Sequence, residues 1–284
     1  VEPTRTFAPA RDAELCVESF GDPADPAVLL IHGAAAAMDY WEDDLCRRIA
    51  GAGRFVARYD NRDTGESTTY PPGEPGYTGR DLVDDAVAVL DALGVERAHV
   101  VGLSMGGSLA QTLALDHPDR VRTVTLIATS PVGPRPGGPE LPGMSDELAA
   151  MFAGGGEAPD PAAGVVDRMV DDFRPYAGSG PFDEEALRDA AGRVAARSKD
   201  LASAGNHFLA DPGPESTRAL TELDVPALVV HGTDDPLFPL PHGEELARLI
   251  PGADLLVVDR MGHELPHHAW PTVVPAIVAH TAAR

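Results

Sequence analysis

The sequence predicts an α/β fold, with a mostly parallel central sheet, helices on both faces and an inserted helical cap. Three observations predict it. Val28–Ile31, Ala98–Leu103, Val124–Ala128, Ala227–His231 and Leu255–Asp259 are short, nearly continuous apolar runs, as expected of strands buried on both faces. Stretches with helical spacing separate them, the alternation of a parallel sheet. The rhythm breaks once, between Thr129 and Thr217, where helical spacing continues without strands. At 284 residues the chain is long enough to bury a large core as one extended domain with an insertion.

Taken in order, Glu14 to Phe20 is expected as an antiparallel edge ahead of the first buried strand, Val28–Ile31. That strand runs into a bend of small residues, His32-Gly33-Ala34 and then Ala35-Ala36-Ala37. Apolar periodicity places helices over about Trp41–Ala52, Gly79–Leu93, Met105–His117, His242–Ile250 and Trp270–Ala283. Pro131–Pro139 is loop by composition. Beyond it Leu148, Met151 and Phe152, then Val165, Val166, Met169, Val170 and Phe173, then Leu187, Val194 and Leu201 recur at steps near three or four. The expected organisation is a core over 1–129 and 217–284 with a helical cap over 130–216.

Gly102-Leu103-Ser104-Met105-Gly106 follows the buried run at Ala98 and opens a stretch with Leu109 and Leu113 on one face. It fits G-x-S-x-G, in which a serine sits on a sharp strand-to-helix turn and flanking glycines keep other side chains away. A serine there can also be a plain helix N-cap. What separates the two roles is a base within reach and a carboxylate to orient it.

In this motif the partners follow the serine in the chain, and catalytic groups gather at the carboxyl ends of the strands. The run at Val124 leads to Thr129, Ser130 and Pro131, with no carboxylate, whereas the run at Ala227 leads to Asp234 and Asp235. Of the later histidines, His263 lies in the loop just past the last strand, while His242 and His280 fall in helices and His267 and His268 flank Pro266. His263-Glu264-Leu265-Pro266-His267 matches the zinc motif H-E-x-x-H, but Pro266 would break the helix that motif needs, and no metal site is expected. For the oxyanion, Met105 N–H at a helix N-terminus is one expected donor and Ala34 N–H, in the bend after the first buried strand, is the other.

His32-Gly33 followed by Trp41, Asp60-Asn61-Arg62 with Gly65 and Ser67, the elbow at Ser104, the acid loop and Gly262-His263 fall in the order of the α/β-hydrolase family. The chain resembles that family along its length apart from the middle. Gly21–Pro26, Arg58–Gly65 and Val100–Gly106 are similar to the aclacinomycin methylesterase type, whose members remove a methyl ester from an anthracycline, a polyketide antibiotic. The spacing Gly232-x-x-Asp235-x-x-x-Pro239 resembles the acid loop of such hydrolases, which implies Asp235 as the acid and leaves Asp234 to an Asx-turn. In this fold the segment with Asp60 and Arg62 shapes a turn, a structural role. A cap would supply the substrate pocket, with Met151, Phe152, Met169, Phe173, Tyr176 and Phe208 as candidates, joined by Trp41 from the loop after His32-Gly33.

With 45 acidic and 22 basic residues the formal charge is −23, and Lys199 is the sole lysine. Such a surface repels nucleic acid and anionic membrane, and no basic patch offsets it. Cys16 and Cys46 are expected as buried thiols rather than a disulfide. The first residues carry no apolar signal core and no run is long enough to span a bilayer, so a cytoplasmic location is expected. No phosphate-binding loop is present and no cofactor is expected.

The expected activity is hydrolysis of a small-molecule carboxylic ester, through Ser104, His263 and Asp235 and an acyl-enzyme. The same three residues could serve an acyltransferase, a lactonase or a carbon–carbon bond hydrolase. A non-catalytic small-molecule receptor is the alternative of another class.

Overall fold

In a computed structural model, residues 2–135, 137–154 and 164–282 are described. Among them eight strands form one sheet: β1 (Thr4–Ala10), β2 (Ala13–Phe20), β3 (Ala27–Ile31), β4 (Phe55–Tyr59), β5 (Ala98–Leu103), β6 (Val121–Ile127), β7 (Ala227–Gly232) and β8 (Asp254–Val258). Their spatial order is β1-β2-β4-β3-β5-β6-β7-β8. The β1–β2 and β2–β4 pairs are antiparallel and every other pair is parallel. The antiparallel edge expected at Glu14 is present as β2, and β1 extends it by one strand that the sequence pattern did not disclose.

Among the described residues eight α-helices accompany the sheet: α1 (Asp43–Ala50), α2 (Gly79–Ala92), α3 (Met105–Asp116), α4 (Asp146–Phe152), α5 (Val165–Phe173), α6 (Glu184–Arg197), α7 (Pro241–Leu249) and α8 (Trp270–His280). β3, β4, β5 and β7 are buried at every residue, the reason their runs do not alternate. Two apolar layers sandwich the sheet. One packs Leu29, Ile31, Val100 and Val229 against α2, α3 and α7 through Leu82, Val89, Leu109, Leu113 and Leu246. The other packs Val28, Leu30, Val101 and Val230 against α1 and α8 through Leu45, Ile49, Trp270, Val273 and Ile277. Among the described residues no helix is long and apolar enough to cross a membrane. Cys16 and Cys46 are both free and buried.

α4, α5 and α6 all fall between β6 and β7, and α6 is tied to the core by charge. Arg197, at its last turn, pairs with Asp39 and Asp60. Asp60 also accepts the N–H groups of Met38 (2.9 Å) and Glu66 (3.0 Å), so it cross-links the loops after β3 and β4 as well as α6. Arg62 makes a two-point ion pair with Asp85 of α2, at 2.7 and 2.8 Å, wholly inside the protein. Both charged residues of the segment after β4 therefore order loops.

Burial pushes the Asp60 carboxyl above its ordinary range and the Arg197 guanidinium opposes that shift. Arg197→Met leaves Asp60 buried without its counter-charge, and the loss of stability should be about 3–5 kcal/mol in urea unfolding near neutral pH. A carboxyl raised in the folded state binds more protons there than when unfolded. The deficit should accordingly be largest well above the ordinary carboxylate range and shrink as pH falls toward it. A deficit that does not vary with pH would count against this account.

Candidate active site

Ser104 stands between β5 and α3 with φ 56° and ψ −118°, a left-handed conformation unusual for any residue but glycine. Its neighbours hold it there. A Cβ at Gly102 would collide with the carbonyl of Gly106, and one at Gly106 would collide with the carbonyls of Ile31 and His32, so the turn closes only with glycine on both sides. Ser104 N–H donates to Ile127 of β6 (3.0 Å), and the Thr129 hydroxyl donates to the Ser104 carbonyl (2.8 Å). The Ser104 side chain makes no capping bond to the helix it precedes. Its Oγ lies 2.8 Å from Nε2 of His263.

His263 follows β8 in a loop pressed against the segment after α5. Gly262 allows the approach, since a Cβ there would collide with Tyr176 and Gly178, and His263 N–H donates to the Tyr176 carbonyl (2.8 Å). The Phe238 ring meets the imidazole edge-on at 5.4 Å and Tyr176 flanks it at 6.0 Å. Nδ1 of His263 lies 3.0 and 3.2 Å from the two oxygens of Asp235. A carboxylate only accepts, so Nδ1 carries the proton and the Nε2 lone pair faces the serine hydroxyl.

Asp235 is buried in the loop after β7, where Oδ1 accepts from the N–H groups of Leu237 (2.9 Å) and Phe238 (2.8 Å). Asp234, its neighbour, makes no Asx-turn, since the residue two beyond it is Pro236; it accepts from Ser179 and Thr233 instead, and the Asx-type bonds of this loop belong to Asp235. Three carboxyl-end loops, after β5, β7 and β8, thus bring Ser104, Asp235 and His263 into one hydrogen-bonded chain. Such a chain can take a proton from the serine hydroxyl as its oxygen attacks a carbonyl.

The two expected oxyanion donors lie beside the serine. Met105 is the first residue of α3, so its N–H is one of those a helix leaves without an intrahelical partner. Ala34 lines the same cavity as Ser104, and Gly33 approaches so closely that a Cβ there would lie 3.2 Å from the serine Cβ. His32 orders this bend, accepting Gly33 N–H at Nδ1 (2.8 Å). Burial first, and then His263, push its pKa down to about 3, so it stays neutral.

Ser104 and His263 open on a cavity of about 440 Å³. Met151, Phe152, Phe173 and Phe208 all line it, as do Met169 and Tyr176, with Phe152 and Phe208 exposed and edge-on at 6.1 Å. Trp41 bounds a second pocket of about 100 Å³ that shares His263 with the first, while the rest of its indole is buried in the core layer beneath α1, edge-on to His32 at 5.3 Å. The H-E-x-x-H stretch is a loop leading into a short 3-10 turn, and among the described residues no group of His, Cys, Asp or Glu is arranged to hold a metal.

Three residues near the site gave no usable signal in the sequence. His231, fully buried on β7, donates from Nε2 to the Phe238 carbonyl (2.6 Å) and sits 3.5 Å from Asp235 Oδ2. Burial lowers its pKa, which leaves it a neutral brace for the acid loop. His207 accepts Ala35 N–H (2.8 Å) and donates to the Arg62 carbonyl (2.7 Å), pinning the bend that carries Ala34. Its partners are so distant in the chain that no spacing rule reaches them. Glu264 follows His263, and burial pushes its carboxyl up to about 7.

Comparison with known proteins agrees with this architecture. A family model described as alpha/beta hydrolase fold matches residues 26–267. The chain belongs to the α/β-hydrolase fold family. Among curated α/β-hydrolase relatives, the rhodomycin D methylesterase DauP of Streptomyces sp. (strain C5) is 34% identical over 298 residues, covering 99% of both chains. The rhodomycin D methylesterase DnrP of Streptomyces peucetius is 33% identical, covering 96% of each. Among solved structures, an esterase from Exiguobacterium antarcticum superposes with a TM-score of 0.78 at 21% identity, covering 99% of this hydrolase and 100% of that chain, a likeness of fold.

Gly106→Ala tests whether the elbow of this hydrolase is held by close approach. The added methyl meets backbone on β3, and the overpacking should cost at least about 1–3 kcal/mol in thermal or urea unfolding. Labelling by a fluorophosphonate should fall with it, because the serine is displaced from His263. Unchanged stability and labelling would show that the turn has slack.

Proposed function

We propose that this protein is a serine esterase that hydrolyses the methyl ester of a polyketide-type small molecule through Ser104, His263 and Asp235. It is a carboxylic ester hydrolase. One observation carries the assignment of residues: Ser104 Oγ, His263 and Asp235 are joined at 2.8 and 3.0 Å on the wall of a cavity of about 440 Å³. The near-complete overlap with two rhodomycin D methylesterases supports the ester class. In this reading the described residues of 130–216 form a helical cap whose Met151, Phe152, Phe173 and Phe208 wall the acyl side of the cavity, while 136 and 155–163 lie outside the described residues. The two free thiols suit a reducing, cytoplasmic setting.

The reaction has two halves. His263 takes the Ser104 proton as Oγ bonds to the ester carbonyl carbon, and the carbonyl oxygen becomes an oxyanion facing Ala34 and Met105 N–H. The bond to the alcohol oxygen then breaks, and that oxygen leaves with the proton held on Nε2. Water repeats the sequence on the acyl-enzyme: His263 takes its proton, the acid departs, and the proton returns to Ser104 Oγ. Asp235 keeps the imidazole in the tautomer that presents Nε2 and stabilises the imidazolium in both halves.

The test is hydrolysis of short and medium p-nitrophenyl esters, with fluorophosphonate labelling read by intact mass. Ser104→Ala should lose about four to six orders of magnitude in rate and all labelling. Asp235→Asn keeps the shape but favours the wrong tautomer, and should lose about four orders. Wild-type activity in Ser104→Ala would overturn the assignment. Turnover that rises when a specific alcohol is added would reassign the enzyme to acyl transfer.

A further inference from the structure

Two cavities meet at His263 and they differ in size and in where their polar groups lie. The larger, of about 440 Å³, contains Ser104 and Ala34 and is walled mainly by apolar side chains from α4, α5 and the turn at Phe208. The smaller, of about 100 Å³, is bounded by Trp41, Leu103, Leu187 and Leu265 on its apolar side. Its polar side holds Glu42, Asp183, Glu264 and His267. His267 lies between Glu42 (2.8 Å) and Asp183 (2.6 Å), and all three are partly exposed, so this end reaches solvent. The inner end reaches His263, and the two cavities share His32, Tyr40, Leu103 and Phe173 around it.

The chemistry of a serine esterase places two species in turn at the imidazole. The departing alcohol takes the proton from His263 Nε2, and the incoming water gives one to it. Because the second half retraces the first, both occupy the same side of the imidazole. At about 100 Å³ against about 440 Å³, the small pocket suits water or a short alcohol and leaves the bulky half of an ester to the larger cavity. The polar groups at its outer end give such molecules hydrogen-bond partners, while the larger cavity has both the space and the apolar wall for a bulky acyl group.

We propose that the pocket bounded by Trp41, Leu187 and Leu265 is the alcohol and water side of the active site, and that its small size beside the larger cavity favours a short ester alcohol over a bulky one. The inference rests on the proposed esterase reading and deepens it, since it assigns the two halves of the substrate to two different walls. Leu187 on α6 is the specificity-determining residue most open to test, because it is half-buried and contacts no reacting atom.

The experiment compares methyl, ethyl, butyl and benzyl phenylacetate with wild type and Leu187→Ala. Wild-type kcat/KM should fall at least tenfold from methyl to butyl, and Leu187→Ala should recover at least tenfold of the butyl-to-methyl ratio. The preference among methyl acetate, methyl butyrate and methyl hexanoate, which vary only the acyl group, should keep its order in that variant. Should Leu187→Ala fail to fold, Ala186→Leu fills the same pocket from the same helix. It should slow deacylation relative to acylation at least tenfold, read as acyl-enzyme accumulating in intact mass spectra with methyl acetate.

An unchanged alcohol profile in Leu187→Ala, or a shift in the acyl order instead, overturns the pocket assignment while leaving the esterase reading in place. No hydrolysis of any ester by wild type, together with no labelling at Ser104, overturns both.

Discussion

The strained backbone at Ser104 is the constraint on which the rest of the site depends. A left-handed non-glycine residue costs of order 1–3 kcal/mol and persists only where its surroundings leave no alternative. Here Gly106 lets the start of α3 lie against the carbonyls that end β3, and Gly102 lets the strand pass the same helix turn. Thr129, from the end of β6, holds the serine carbonyl. Three neighbouring strands thus fix one backbone position. The gain is an Oγ that projects from the turn instead of folding back to cap its own helix.

Once the serine is fixed, the two partners need only be delivered from strands further along the sheet. β7 and β8 are parallel neighbours, and their carboxyl-end loops are bonded to each other, with Thr233 N–H on Val258 and Asp234 N–H on Met261. Asp235 and His263 therefore move as one unit. The surrounding histidines make the unit more rigid without adding charge: burial lowers the pKa of His231, His32 and His207 alike, and each uses at least one ring nitrogen to hold a backbone group. A charged imidazole beside His263 would oppose the imidazolium that its proposed role requires, and neutral ones do not.

The sequence was most legible where one physical signal was strong and local. β3, β5 and β7 are short runs buried throughout, and the elbow, the acid loop and the last histidine each follow such a run. β1 was invisible because it is a mostly exposed edge strand with Pro9 near its end, so it has neither a buried run nor a clean alternation. In the stretch between β6 and β7, spacing located α4, α5 and α6 but could say nothing of what they touch. Arg197 meeting Asp60 and Tyr176 meeting His263 are contacts across many residues, and no periodicity encodes them. Trp41 shows the converse limit. An aromatic residue after the His32-Gly33 bend lies near the site as expected, yet its indole is spent on the core beneath α1 and only bounds the smaller pocket.

The distribution of charge gives the excess of acid a direction. Arg58, Arg62 and Arg197 are committed to buried acids, Glu18, Asp85 and Asp60, while the buried Arg54 spends its guanidinium on Thr281 and backbone carbonyls. The large cavity is left with Asp63, Asp172 and Asp200 in its wall and, among the described residues lining it, no lysine or arginine. A neutral ester meets no Coulombic penalty in such a space. The carboxylate that hydrolysis would leave behind carries a new negative charge in surroundings that already carry several, with no cation to hold it. Repulsion between like charges is strongest where water is partly excluded, so the wall that accepts the neutral substrate weakens the grip on the ionised product. The acidic composition, which on its own speaks only of solubility, thereby favours release of the ionised product at the one place where the charge of the small molecule changes.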